Sequence, residues 1–235
     1  LTIYDELQER YDGEQFLDKL NQVANSLSII TTDIQLAVMK TRMQPVSKVF
    51  SKFPRIVRDL SRELGKQIEL EISGEETELD KSIIEEIGDP IMHMIRNSCD
   101  QGVEDPAVRA EAGKPEKGTV QLKAYNEGNH IIIEIADDGK GLDADMLKVK
   151  CIEKNLITEK EADQMSDKEA FALIFKPGFS TAQKVTSVSG RGVGMDVVKT
   201  NIEKLNGIIE IDSELGKGSV FRLKIPLTLA IMQSL

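Results

Sequence analysis

"TVQLKAYNEGNHIIIEIADDGKGLD", residues 119 to 143, reads as two strands around a Glu-Gly-Asn turn, closing on Asp137, Gly139 and Gly141 in the pattern Asp-x-Gly-x-Gly. The alternation before the turn and the isoleucine run after it predict a β-hairpin. A carboxylate at the end of the second strand, facing an apolar slot, would accept a hydrogen from the exocyclic amine of adenine, and the glycines would leave room for a flat ring. Guanine would present an oxygen to that carboxylate and be repelled. Taken alone, the same residues are an ordinary Asp-Gly turn.

The flanking sequence builds a domain around the hairpin. Before it, "VSKVFSKFPRIVRDLSRELGK" is amphipathic, with a kink expected at Pro54 and a C-cap at Gly65, and "QIELEIS" alternates as a strand. Asp80 is placed to cap a helix through "KSIIEEIGDPIMHMIRNSCDQG", bent at Gly88 to Pro90. After the hairpin, helices are expected over 143–154 and 167–174, the second opened by a capping box of Ser166 and Glu169. A glycine loop then leads into a helix ending near Asn206, and "GIIEIDSELGKGSVFRLKIPL" reads as a second hairpin. Helices on one face of a mixed sheet give an α+β protein, a two-layer α/β sandwich. No internal repeat or low-complexity tract interrupts it.

The first residues follow another rule. Phe16, Leu20, Val23, Leu27, Ile30, Ile34 and Ala37 are spaced 4, 3, 4, 3, 4, 3, which is a heptad seam and calls for a partner helix. The preceding "LTIYDELQERYDGEQ" is too short to cover it. The seam therefore predicts a helical bundle over 1–43 ahead of a main domain over 44–226; that the bundle serves dimerisation and that 227–235 begin a linker is implied only by the family resemblance drawn from the motifs that follow. Because the chain begins at Leu1 without methionine, it is expected to be an excised fragment.

Composition excludes several classes. With 235 residues and 40% hydrophobic content, the chain can bury a substantial core. A formal net charge of -10 opposes nucleic acid and anionic membrane surfaces, so any phosphate site has to be made locally. Cys99 and Cys151 stand far apart without a Cys/His cluster, which speaks against a disulfide framework or a zinc site and for the reducing cytoplasm. Nothing resembles a signal peptide or a membrane span, so no membrane insertion is expected.

Two further motifs carry chemistry. In "HMIRNSCDQG", His93 and Asn97 are four apart on a helix and share a face, with Asp100 and Gln101 a turn further on. Asn97 offers a neutral hard oxygen suited to Mg²⁺ that binds chiefly through nucleotide phosphates; equally, such an Asn could bond nearby backbone and such a His could be a satisfied core residue. In "SGRGVGMDVVK", Gly190, Gly192 and Gly194 alternate ahead of a helix, where backbone amides can turn toward an anion and Arg191 adds charge. A tight turn before a helix explains that loop as well. A P-loop is excluded, because "GKQ", "GKP" and both "GKG" lack the following Ser or Thr, and the dinucleotide fingerprint fails at Met195.

In order along the chain, H-x-x-x-N on a helix, Asp-x-Gly-x-Gly after a strand, "FKPGFSTA" and Gly-x-Gly-x-Gly before a helix resemble the GHKL ATP-binding superfamily of histidine kinases, type II topoisomerases, heat-shock chaperones and mismatch-repair ATPases. More closely, "HMIRNSCDQGVED", "DDGKGLD", "SGRGVGMDVVK" and "IPLTLAI" are similar to the chemotaxis histidine kinases of the CheA type, from about Met43 onward. This resemblance implies a Bergerat (GHKL) fold that binds ATP or ADP with Mg²⁺ and passes the γ-phosphate to a histidine on a separate phosphotransfer domain. It implies that Asp137 binds adenine, that Gly139 and Gly141 floor the base pocket, and that Ser219 assists where the superfamily commonly has Thr. Asn97 would hold Mg²⁺, with Asp100 beside it. The segment from Gly141 to Gly190 would be the ATP lid, with Lys150, Ser180 and Thr181 on the phosphate side, and Gly190, Arg191, Gly192, Val193, Gly194 and Met195 would close over the phosphates. His93, where some relatives carry glutamate, would orient or deprotonate the incoming histidine.

One position departs from the pattern. Close relatives usually read Asp-His-Gly where this chain has Asp100, Gln101, Gly102, so Gln101 stands where a histidine would lie toward the γ-phosphate. Slower transfer, or a nucleotide-binding signalling scaffold without efficient transfer, is the alternative this leaves open. The resemblance further implies a homodimer, response regulators downstream, and a CheW-like adaptor and chemoreceptors reached through a regulatory domain that "LTLAIMQSL" would begin. His93 and His130 are the only histidines, and neither is the expected phosphoacceptor.

Overall fold

The structure, a computed structural model, describes residues 15–179 and 194–227. The chain divides into two compact units, Leu1–Met43 and Gln44–Leu235. In the first unit α1 (Gln15–Arg42) runs for 28 residues without a glycine or proline. Asp18 stands in its first turn and Lys40 and Arg42 in its last, each sign complementing the helix dipole. Val23, Leu27, Ile30 and Ile34 of the heptad seam are exposed, at 60%, 64%, 57% and 59%.

The second unit begins around β1 (Met43–Pro45), α2 (Ser47–Phe50) and α3 (Phe53–Leu64). Pro54 kinks nothing. It sits in the first turn of α3, where its missing N–H costs no helical bond, and the break falls before it. Phe50 and Phe53, on either side of the break, are fully buried with ring centroids 6.4 Å apart. Gly65 ends α3 in the left-handed region at φ 68°.

Next come β2 (Ile68–Ser73), β3 (Glu78–Asp80) and α4 (Lys81–Asn97), with the Asp80 carboxylate accepting from Ser82 N at 2.8 Å as the N-cap. α5 (Pro106–Glu111) precedes β4 (Gly118–Glu127) and β5 (His130–Asp137), the expected hairpin, with Glu127 opposite His130. α6 (Ala144–Glu153), α7 (Glu159–Gln164) and α8 (Asp167–Phe171) follow, then α9 (Met195–Lys204), and β6 (Ile208–Glu214) with β7 (Gly218–Pro226) form the second hairpin. Both α7 and α8 open on a capping box, Thr158 with Glu161 and Ser166 with Glu169.

The sheet order is β2-β4-β5-β7-β6, with β2 parallel to β4 and every other pair antiparallel. Ile83, Ile87, Ile91, Met94 and Ile95 of α4 share one core with Ile131, Ile133 and Ile135 of β5, and burial of each such side chain stabilises by about 1.5–3 kcal/mol. This is the expected two-layer α+β sandwich. A second, smaller core of Cys151, Ile157, Ala162, Ala170, Leu173 and Phe179 lies under α6 to α8. Much of the segment read as a lid is thus a packed helical subdomain.

Candidate functional site

The site starts where α4 ends. Beyond Asn97 the helix widens into a π turn, Ser98–Gly102, in which Val103 N–H donates to Ser98 O at 2.8 Å. Lys66 holds the turn from outside, its Nζ donating to the carbonyls of Cys99 at 3.1 Å, Val103 at 2.7 Å and Asp100. Ser98 is thereby buried against the end of β5, and its Oγ donates to Asp137 Oδ2 at 3.0 Å.

Asp137 is 8% exposed, and Gly139 N–H donates to its Oδ1 at 3.1 Å. Burial raises its pKa, while Ser98 and the backbone amides of Gly139 and Ser219 pull the other way. Ser219 stands directly opposite Asp137 in the β5–β7 register. Its Oγ lies 3.1 Å from Ser213 Oγ, and Ser213 also donates to Gly218 O at 2.9 Å and accepts from Leu142 N at 2.8 Å. A carboxylate has about four acceptor positions. With Ser98 on Oδ2, Gly139 on Oδ1 and the Ser219 amide as a third donor, Asp137 keeps one acceptor position for a ligand.

The glycines after it have a physical task of their own. A Cβ on Gly139 would come within 2.1 Å of Gly102 O, and one on Gly141, at φ 73°, within 2.3 Å of Glu214 O. The resemblance assigns both to the floor of a base pocket; each also stands where two backbone segments touch.

His93 and Asn97 lie on the face of α4 that meets the start of α9. Asn97 Nδ2 is 3.0 Å from Met195 Sδ, leaving its amide oxygen without a donor among the described residues. That oxygen is a neutral hard donor of the kind Mg²⁺ accepts, and among the described residues no trio of His, Cys, Asp or Glu offers an all-protein metal site. Burial and then Arg96 lower the His93 pKa, partly offset by Asp196, which keeps the imidazole neutral near pH 7. Burial pushes the neighbouring Cys99 thiol up to about 12, so it stays protonated.

Other expected residues lie apart. Asp100 and Gln101 are exposed and line an open cavity of about 390 Å³ with Lys66, Glu104, Asp105 and Lys140, and His93, Asn97 and Asp137 are not part of that lining. Lys150 Nζ rests 4.9 Å from the centre of the Phe179 ring. Gly194 caps α9 and Met195 begins it. Ser180, Thr181, Gly190, Arg191, Gly192 and Val193 lie outside the described residues. Sequence reasoning missed Ser98, Ser213 and Lys66; a hydroxyl next to Asn97 in the helix was the one available signal.

The family described as "Histidine kinase-, DNA gyrase B-, and HSP90-like ATPase" matches residues 86–229, which takes in α4 from Glu86 onward, the π turn and both hairpins. The chain is 72% identical over its whole length to the sensor histidine kinase CheAY of Helicobacter pylori, of which it covers 29%. It is 53% identical over 94% of its length to the chemotaxis protein CheA of Treponema pallidum, covering 27% of it, and 49% identical over 93% to that of Bacillus subtilis, covering 32%. The chain thus spans less than a third of these relatives. A buried strand-end carboxylate held from the π turn that follows α4, within a segment that matches from Glu86 through β7, has one consistent reading: the chain belongs to the histidine kinase-, DNA gyrase B- and HSP90-like ATPase family.

Proposed function

We propose that this chain is the ATP-binding catalytic core of a CheA-type chemotaxis histidine kinase, which transfers the γ-phosphate of ATP to a histidine on a separate phosphotransfer domain. The observation that carries the reading is Asp137, a buried carboxylate oriented by Ser98 and Gly139 with spare acceptor capacity. The names of the relatives support the chemotaxis assignment.

In this reading Asp137 accepts from the adenine amine, with Ser219 alongside. Asn97 would hold Mg²⁺, which when bound would neutralise phosphate charge. The acceptor histidine attacks the γ-phosphorus, a P–N bond forms as the bond to the β–γ bridging oxygen breaks, and ADP leaves. Neutral His93 orients the incoming imidazole or takes its proton. Positioning and electrostatics do most of the catalysis. The lid residues Lys150, Ser180 and Thr181 and the loop from Gly190 to Met195, with Arg191, are assigned to the phosphates.

The partners proposed are a phosphotransfer domain, response regulators, a CheW-like adaptor with chemoreceptors, and a second copy of the chain along the seam of α1. The location proposed is the cytoplasm; no helix among the described residues is long and apolar enough to cross a membrane. The test mixes the chain with ATP, Mg²⁺ and a phosphotransfer domain from a close relative, and measures acid-labile phosphate. Transfer to that domain supports the kinase. Tight ADP binding without transfer supports the second reading, a nucleotide-binding scaffold, which the exposed Gln101 favours.

A further inference from the structure

Arg109 on α5 is completely buried, and all three guanidinium nitrogens are engaged. Nε donates to Pro115 O at 2.7 Å, and Nη2 donates to Asp138 Oδ2 at 2.8 Å and Lys117 O at 3.4 Å. Nη1 donates to Glu104 Oε2 at 3.1 Å, Asp138 Oδ1 at 3.1 Å and Asp138 O at 3.2 Å. Lys114 Nζ completes the cluster, donating to Glu104 Oε1 at 2.8 Å, Asp138 O at 3.0 Å and Gly139 O at 2.6 Å. Asp138 is fixed from its other side too, since Thr119 N–H donates to Oδ1 at 2.9 Å and its own N–H donates to Thr119 O at 3.2 Å.

A buried ion cluster is a poor way to gain stability, because desolvating the charges offsets most of their attraction and an apolar cluster of the same volume does as well. Its position is informative instead. Both carbonyls that follow Asp137, those of Asp138 and Gly139, are tied to this cluster, and the bidentate fork on the Asp138 carboxylate resists rotation. Base choice by a carboxylate depends on such rigidity. Facing the amine of adenine it selects adenine, yet a carboxylate free to shift could accept instead from the N1 and N2 hydrogens of guanine.

We propose that Arg109 is a positioning residue for base specificity: by clamping Asp138 it fixes the direction of the Asp137 carboxylate, so that adenine is accepted and guanine refused. This rests on the reading of Asp137 as the base-binding residue. The test is calorimetric titration of the 235-residue chain with ADP and with GDP, as the parent, as Arg109→Lys, which keeps the charge but loses the planar fork, and as Asp138→Asn, at a residue whose side chain is 40% exposed and which therefore preserves the fold if the first variant does not. Circular dichroism confirms folding. The preference for ADP over GDP is expected to fall about tenfold in Arg109→Lys and about threefold in Asp138→Asn, the scale of losing or weakening a charge-assisted hydrogen bond. A purely structural Arg109 would lower the fraction of active protein and leave the ratio unchanged. Folded variants with the parental ratio overturn the inference alone; a parent without any preference for ADP overturns the base-binding reading as well.

Discussion

At Asp137 the fold and the proposed base contact compete. Burial raises the carboxyl's folded-state pKa above its unfolded value, so this group's contribution to stability is greatest at low pH and is lost as pH rises from the ordinary Asp range through the raised value. Asp137→Asn removes the buried charge and is expected to melt higher than the ligand-free parent, by a margin that widens from pH 4 to pH 7, while binding ADP at least tenfold more weakly. Scanning calorimetry across that range, with ADP titrations, checks both. His93 has the opposite sign: burial first, then Arg96, lower its pKa, so it stays neutral until the pH falls below the usual histidine range. The acid limb of phosphotransfer should therefore lie below pH 6.5, and His93→Gln should lose that limb, transfer about 100-fold more slowly and keep its ADP affinity within a few-fold. Undiminished transfer by this variant would return His93 to a structural role. The motif spacing made His93, Asn97 and Asp137 visible in the sequence, because one helix face and one strand end put them there. Ser98, Ser213 and Arg109 were not visible: each acts across the fold, on Asp137, Ser219 or Asp138, through contacts that no local pattern encodes.

Among the elements, the π turn after α4 is the one on which the proposed adenine contact depends, and Lys66 is its outside support. Three carbonyls at the end of a helix present concentrated negative charge, and one ammonium satisfies them. Lys66→Met should cost about 1–3 kcal/mol of unfolding free energy, read from the urea midpoint, and should weaken ADP binding because Ser98 loses its fixed line to Asp137. Unchanged affinity in the folded variant would show that the turn keeps its shape unaided. The hairpins were legible from alternation and from turn residues, and α4 and α8 from Asp80 and the Ser166–Glu169 capping box. The Thr158–Glu161 box of α7 was equally readable and was passed over, while α5 is too short, at Pro106–Glu111, for periodicity to register. Pro54 misled because a proline inside an amphipathic run looks like a kink, and only Phe50 and Phe53, packed on both sides of a break, reveal two helices.

On the scale of the whole molecule, the apolar seam of α1 is the feature that asks for another chain. Val23, Leu27, Ile30 and Ile34 are each more than half exposed, and covering side chains of this size is worth about 1.5–3 kcal/mol apiece. Leu27→Glu combined with Ile30→Glu should shift the chain from dimer to monomer in sedimentation equilibrium and leave ADP binding intact. A parent that stays monomeric at high concentration would remove the dimer from the proposal. The sheet order has a different consequence, one of timing. The two hairpins, β4 with β5 and β6 with β7, are local and close early, but Asp137 meets Ser219 only across the junction between them, and β2 joins β4 only after all of α4 has intervened. A chain leaving the ribosome therefore carries its Asp-x-Gly-x-Gly segment long before the strand that faces it has been made. Nucleotide cannot scaffold the early steps of folding; it can only reward the last one, when the second hairpin docks and the half-made site becomes whole.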